Sequence, residues 1–143
     1  MSSKSIGRIA AAALISSNLC ASAAAAEAPV VVNPQSAYPE GPVVVGGAVY
    51  YAEMGADRVM RWDGHANTPV WTRPGCGPTS VARGAGDTLV VLCHIEWRLA
   101  IITTAGETVR IIDRDANGQP FMDPNASIND AKGGVYISSS GTF

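Results

Sequence analysis

Three short stretches of this chain repeat one another. "GGAVYYA" (46–52), "GDTLVVL" (86–92) and "GGVYIS" (133–138) each pair a glycine-containing turn with a run of apolar and aromatic positions. Val49, Leu89 and Val135 fall at equivalent places, 40 and 46 residues apart. The first copy is followed by "RVMRWDG" and the second by "RLAIITTAG", so a strand opening on arginine and an aliphatic residue follows, then a hairpin turn. A repeat of about 40–50 residues carrying some four short strands is what a β-propeller blade produces, and few other architectures generate it. A β-sandwich also spaces its strands regularly but has no need of the repetition.

The rest of the mature chain agrees with an all-β reading. Strands are expected at 48–54, 58–64, 68–73, 79–84, 88–94, 98–106, 108–113 and 134–139. "MGAD", "DGHAN", "GAGD", "TAGE" and "DANGQP" supply turn chemistry between them. No window after the N-terminus has a helical period. At roughly 40–45 residues per blade, residues 27–143 hold about two and a half blades, where closure takes 4–8. The chain therefore reads as the N-terminal part of a propeller.

Residues 1–26 have the build of a secretory signal peptide. Lys4 and Arg8 make a basic start, "IAAAALI" is a short apolar core, and "ASAAAAEA" supplies small residues around a cut after Ala26. The apolar stretch is too short to span a bilayer. Export to the periplasm or beyond is expected, with no membrane contact after cleavage. Losing these two cations and no acid takes the net charge from −2 to −4 and leaves Lys132 as the sole lysine. With no basic patch, nucleic acid is not an expected partner. Cys20 leaves with the signal. Cys76 and Cys93 remain, either bridged or buried as free thiols, and spacing does not decide between the two.

Glu40 is the candidate functional residue. It stands in "YPEGP", between Pro39 and Gly41-Pro42, just before an apolar run. Rigid flanks reduce the entropy lost when a carboxylate is fixed on a ligand; the bland reading is a solvated loop acid. Other residues have plainer readings. His65 is a hairpin tip, and His94 a structural or channel-lining residue at a strand end. Trp62, Trp71 and Trp97 suit packing between blades, with sugar stacking an option for Trp97. "DRDANG" (113–118) has the opening spacing of a Ca²⁺ loop, but Pro124 occupies the place of the required glutamate, so a hairpin turn is expected. No G-x-S-x-G is present to suggest a serine hydrolase.

Three segments, in order, resemble one family: "PEGPVVVGGAVYYAEMGADRVMRWDG", "GPTSVARGAGDTLVVLCH" and "NGQPFMDPNASINDAKGGVYIS". They are similar to the SMP-30/gluconolactonase (regucalcin-like) proteins, six-bladed propellers, over about Tyr38 to Tyr136. The resemblance implies that Glu40 is a ligand of a divalent cation, Ca²⁺ before Mn²⁺ or Zn²⁺, in the central channel. It implies that Asn125 contacts substrate or metal-bound water there. The implied activity is metal-assisted hydrolysis of a sugar-type lactone, with a small lactone or sugar acid as ligand. The chain departs from the pattern at Thr79, Asp123 and Ala126, where the family more often has Asn, Arg or Ser, and Asp. The remaining ligands and the catalytic base would come from later blades, so no catalytic residue is assigned here. The alternatives are a propeller that binds metal or sugar without catalysis, and an inactive fragment. Bare blade faces also predict self-association.

Overall fold

The computed structural model describes residues 28–130 and 132–141. The segment read as a signal peptide lies outside them. From Val31 onward the described residues form one compact unit. It contains ten strands: β1 (Pro39–Val45), β2 (Ala48–Glu53), β3 (Arg58–Trp62), β4 (Asn67–Thr72), β5 (Pro78–Arg83), β6 (Thr88–Cys93), β7 (Arg98–Thr103), β8 (Thr108–Ile112), β9 (Pro124–Asn129) and β10 (Val135–Ser139). One turn of 3-10 helix, Met54–Ala56, interrupts β2 and β3.

Strands β1–β4 make a four-stranded antiparallel meander, β5–β8 a second, and β9 with β10 a two-stranded hairpin. The first strands lie side by side, β1 against β5 and β5 against β9. The all-β chain of repeated antiparallel sheets expected from the repeat is present, and Val49, Leu89 and Val135 each sit at the start of a second strand. The expected strands are all present within a residue or two, except that β7 ends at Thr103, three residues short of the expected 106. Two more, β1 and β9, were not among those expected. Both begin with proline and have irregular pairing early on, which erases the period-2 signal a strand normally shows.

Burial follows from the alternation of strand side chains. Ala48, Tyr50, Ala52, Val59 and Trp71 of the first sheet pack on Val81, Leu89, Val91, Cys93, Ala100 and Ile102 of the second. The other face of the second sheet, with Ala82, Val90, Leu92 and Leu99, packs on Val135 and Ile137 of the third and on Phe121 in the connection before β9. Fully burying a Leu, Ile or Val side chain is worth ~1.5–3 kcal/mol, so these two interfaces carry most of the stability. Trp71 reaches across the first and hydrogen-bonds Thr108 Oγ1 through Nε1 at 3.0 Å. Trp62 is half-buried and Trp97 exposed, so only Trp71 fills the packing role expected of all three.

Cys76 and Cys93 are joined in a disulfide, settling the alternative that spacing left open. The "DRDANG" segment is a hairpin turn: Asp115 Oδ1 accepts from the amides of Asn117 and Gln119, and Arg114 bridges to Pro120. His65 is exposed at its turn, as expected.

Candidate functional site

All three first strands start at the same end of their sheets. Pro39 lies opposite Glu53, Pro78 opposite Cys93 and Pro124 opposite Ser139. Each start is built alike. The residue before the proline is left-handed: Tyr38 has φ 57°, Gly77 φ 53° and Asp123 φ 46°. After the proline the ladder loses register, between Glu40 and Val43, between Pro78 and Ser80, and between Pro124 and Ser127. Proline suits a strand edge because it has no N–H to leave unpaired, and a bulge re-aims the side chains beside it. The residues that follow the three prolines are Glu40, Thr79 and Asn125. They occupy equivalent positions on β1, β5 and β9.

The turns between second and third strands lie at this end too, and they contain the other left-handed non-glycine residues, Asp57 (φ 52°) and Trp97 (φ 57°). A left-handed residue with a side chain costs roughly 1–2 kcal/mol and persists only where its surroundings hold it. Asp57 is held by its carboxylate, which accepts from the amides of Gly75 and Gly77 at 2.9 and 2.7 Å. Trp97 is held by its Nε1–H, which donates to Asp123 Oδ1 at 2.8 Å.

Contacts from the second sheet fix the start of β9. The buried Thr79 donates through Oγ1 to the Pro124 carbonyl at 3.2 Å, and His94 Nδ1 lies 3.3 Å from the same oxygen. His94 Nε2 is 3.9 Å from Asp123 Oδ1. His94 is thus a half-buried residue at the strand ends, facing two acceptors of the Asp123–Pro124 step. Farther along, Ser80 and Ser127 hydroxyls meet at 2.6 Å, and the Asn129 carboxamide exchanges hydrogen bonds with the Arg83 backbone at 3.1 and 2.7 Å. These side chains take the place of a backbone ladder between β5 and β9.

The start of β1 is fixed by backbone contact. A Cβ built on Gly41 would fall 2.4 Å from Ser80 Cα and 2.6 Å from Thr79 O, so only glycine lets β1 approach β5 this closely. Glu40 itself is exposed, and its carboxylate makes no hydrogen bond or ion pair among the described residues. It borders a concavity of about 450 Å³ shared with Val31, Val32, Val49 and Tyr51. Asn125 is also exposed, one strand removed on the far side of β5. The two predicted site residues therefore share one end of the sheets but do not meet. Among the described residues no three His, Cys, Asp or Glu side chains converge as a metal centre would require. The donors present are a carboxylate, a carboxamide and a hydroxyl. All are hard oxygen ligands, which suits Ca²⁺ in kind and falls short in number.

Thr79, and the Trp97–Asp123 bond, carry this arrangement without having stood out in the sequence as site residues. A signal was available: Pro39-Glu40, Pro78-Thr79 and Pro124-Asn125 recur 39 and 46 residues apart, within one residue of the strand repeat.

Among solved structures the chain is similar to a gluconolactonase from Xanthomonas campestris, at 18% identity and TM-score 0.63, over 73% of this chain and 36% of that one. It is similar to virginiamycin B lyase from Staphylococcus aureus at 20% identity and TM-score 0.62, over 73% and 36%. It is also similar to a protein assigned as a gluconolactonase by family, at 24% identity and TM-score 0.59, over 71% and 36%. The likeness is one of fold, and it includes gluconolactonase structures, the group that the sequence resembles. The chain spans just over a third of the length of each. No protein-family model matches the chain, and no curated protein does.

Proposed function

We propose that this chain is the N-terminal part of a six-bladed, exported propeller that hydrolyses a sugar-type lactone with the help of a divalent cation. The observation that carries this reading is the threefold left-handed residue–proline–donor start, which sets Glu40, Thr79 and Asn125 at one end of adjacent first strands. The gluconolactonase fold likeness supports it.

In this reading Glu40 holds the cation, with Ca²⁺ favoured over Mn²⁺ or Zn²⁺ and further oxygen ligands coming from blades beyond this chain. Such a cation, when bound, polarises the ester carbonyl and stabilises charge on its oxygen. Asn125 orients the ligand through its carboxamide, from a strand start that Thr79, His94 and Trp97 keep in place. Gly41 keeps Glu40 near that strand start by bringing β1 against β5. No residue here is assigned as the base that deprotonates water.

The test is hydrolysis of gluconolactone by the natural protein containing this chain, with and without a chelator, beside its Glu40→Ala variant. Loss of turnover in both, with restoration by added Ca²⁺ in the unsubstituted protein only, is expected. Turnover unchanged by chelator and by the substitution would overturn the metal reading. Saturable lactone binding without turnover would point to a binding protein.

A further inference from the structure

Apolar side chains stand exposed at one end of the sheets and not at the other. Tyr38, Ile95, Trp97 and Met122, all exposed, lie before β1, between β6 and β7, and before β9. That is the end where the first strands begin. The turns of the first two sheets at the opposite end, residues 46–47, 63–66, 84–87 and 104–107, contain no large hydrophobic residue. An exposed apolar residue standing alone needs no explanation, whereas several that share one concavity do.

Tyr38 and Ile95 share one. With Met54 and Gly55 they border an open, apolar groove of about 380 Å³. Both of its walls are held by backbone hydrogen bonds. The Met54 N–H donates to Tyr38 O and the Gly55 N–H to Ala37 O, each at 3.1 Å, which ties the start of β1 to the 3-10 turn. The Ile95 N–H donates to Cys76 O and the His94 N–H to Gly77 O, each at 3.1 Å, which ties the β6–β7 turn to the start of β5. The Ile95 side chain lies over that start, since a Cβ built on Gly77 would fall 2.5 Å from Ile95 Cδ1. The groove thus sits between two complete four-stranded sheets. Each wall is fixed two residues from a donor: Tyr38 from Glu40, and Gly77, beneath Ile95, from Thr79.

We propose that this groove takes a hydrocarbon substituent carried on the ring of the lactone, with Tyr38, Met54 and Ile95 selecting it. Size argues for a small ligand. Small-molecule sites measure about 300–1,000 Å³ and are lined mainly by apolar side chains, whereas a stable protein partner needs about 800 Å² of surface on each side. Position argues for a part of the same ligand. Two residues of chain span at most about 7 Å, so a ring held at Glu40 brings its substituent within reach of the Tyr38 side chain. Walls that are already held lose little conformational entropy on binding. The left-handed backbone of Tyr38 acquires a use here, as the cost of setting an aromatic wall beside the donor. The proposal rests on the reading of Glu40 as the group that holds the lactone through its cation, and it narrows that lactone from a bare sugar ring to one with an apolar arm.

The test is isothermal titration calorimetry of the natural protein containing this chain, with Ca²⁺ present. The probes are two δ-lactams, which replace the ring oxygen of a lactone by N–H and resist hydrolysis, one with a methyl and one with a pentyl group beside that nitrogen. Four methylenes, half to fully buried, are expected to make the pentyl lactam bind about 16- to 250-fold tighter, at about two- to fourfold each. Tyr38→Asn, with a residue that accepts the left-handed backbone, and Ile95→Ala should each shrink this ratio by at least about threefold. Both side chains are exposed, so circular dichroism should be unchanged; should one variant lose its fold, the other decides. Equal affinities, no binding of either lactam, or a ratio that the folded variants keep would each overturn the proposal. Gluconolactone turnover measured in parallel separates the two readings. A chain-length preference without turnover retains the groove and removes the lactonase reading, while turnover without the preference does the reverse.

Discussion

Glu53 and Arg58 face each other across β2 and β3, yet their environments differ sharply. Glu53 is fully buried, and its carboxylate accepts from Arg58 Nε at 2.6 Å, Ser36 Oγ at 2.8 Å and Asn33 Nδ2 at 3.0 Å. The Arg58 side chain is 33% exposed. Removing the arginine therefore strands a buried charge with two neutral donors, whereas removing the charge on Glu53 lets the guanidinium turn to water. Breaking a buried pair from the side that leaves the charge inside costs ~3–5 kcal/mol. Losing charge-assisted hydrogen bonds while keeping a polar acceptor, as Glu53→Gln does, costs about 1–2 kcal/mol. Arg58→Ala should thus be the more damaging change, although Arg58 is the more exposed partner. With a urea m-value of ~1–3 kcal/mol/M, its midpoint should fall by roughly 1–5 M. The double variant should be more stable than Arg58→Ala alone, because it removes the stranded charge. The assay is urea unfolding followed by tryptophan fluorescence, at a fixed protein concentration. If Glu53→Gln costs as much as Arg58→Ala, the reasoning from burial is wrong.

Four further outcomes are expected. Reducing the Cys76–Cys93 disulfide, which spans 17 residues, should destabilise the fold by about 3 kcal/mol, read as a lowered urea midpoint in dithiothreitol. Gly41→Ala combines a Cβ contact of 2.4 Å on backbone with φ 41°, so it should cost at least about 2 kcal/mol and lower any Glu40-dependent metal affinity; a neutral result would show that β1 does not press on β5. The Glu96 carboxyl is held below its ordinary value of 4.5 chiefly by its hydrogen bonds to Arg73. The unfolded chain thus binds the proton more readily, and the pair's contribution is full above the ordinary value and lost as pH falls through the lowered one. Glu96→Gln should flatten stability against pH in that acid window only. Tyr38→Gly should leave stability level or raise it by up to about 1 kcal/mol, by relieving the left-handed backbone of an exposed residue; a loss beyond about 1 kcal/mol would assign Tyr38 a packing role instead.

The sheets were legible because the repeat is written twice over, in the spacing of Val49, Leu89 and Val135 and in the turns between them. Alternation along a strand with one buried face leaves that trace in any sequence. The two strands that escaped, β1 and β9, are the ones next to the candidate site. Their opening prolines and broken registers make Glu40 look like a loop acid and Asn125 like a turn residue. Local patterning fails there for a physical reason: a bulged edge strand aims side chains by departing from the regular pleat. The network around Glu53 was illegible for a different reason. Its donors Asn33 and Ser36 come from a segment with no period, and only tertiary contact shows that they converge. The disulfide likewise needed the register of β5 on β6, which sets Cys93 opposite Pro78 and close to Cys76.

Backbone strain separates the two ends of these sheets. Every left-handed non-glycine residue among those described, Tyr38, Asp57, Trp97 and Asp123, lies at the end where the first strands begin. The opposite end makes its tight turns with glycine, as at Gly46-Gly47 and Gly86, where no side chain is at stake. If turn geometry alone mattered, glycine would serve as well at both ends. Retaining a tyrosine, a tryptophan and two aspartates in a conformation that disfavours them means that their side chains contribute something glycine lacks. For Asp57 and the Trp97–Asp123 pair, part of that is the hydrogen bonding that joins consecutive sheets. Tyr38 has no such bond among the described residues and stands exposed, two positions before Glu40. Strain without a structural return, beside a carboxylate without a partner, is the pattern expected where a fold keeps groups free for a ligand.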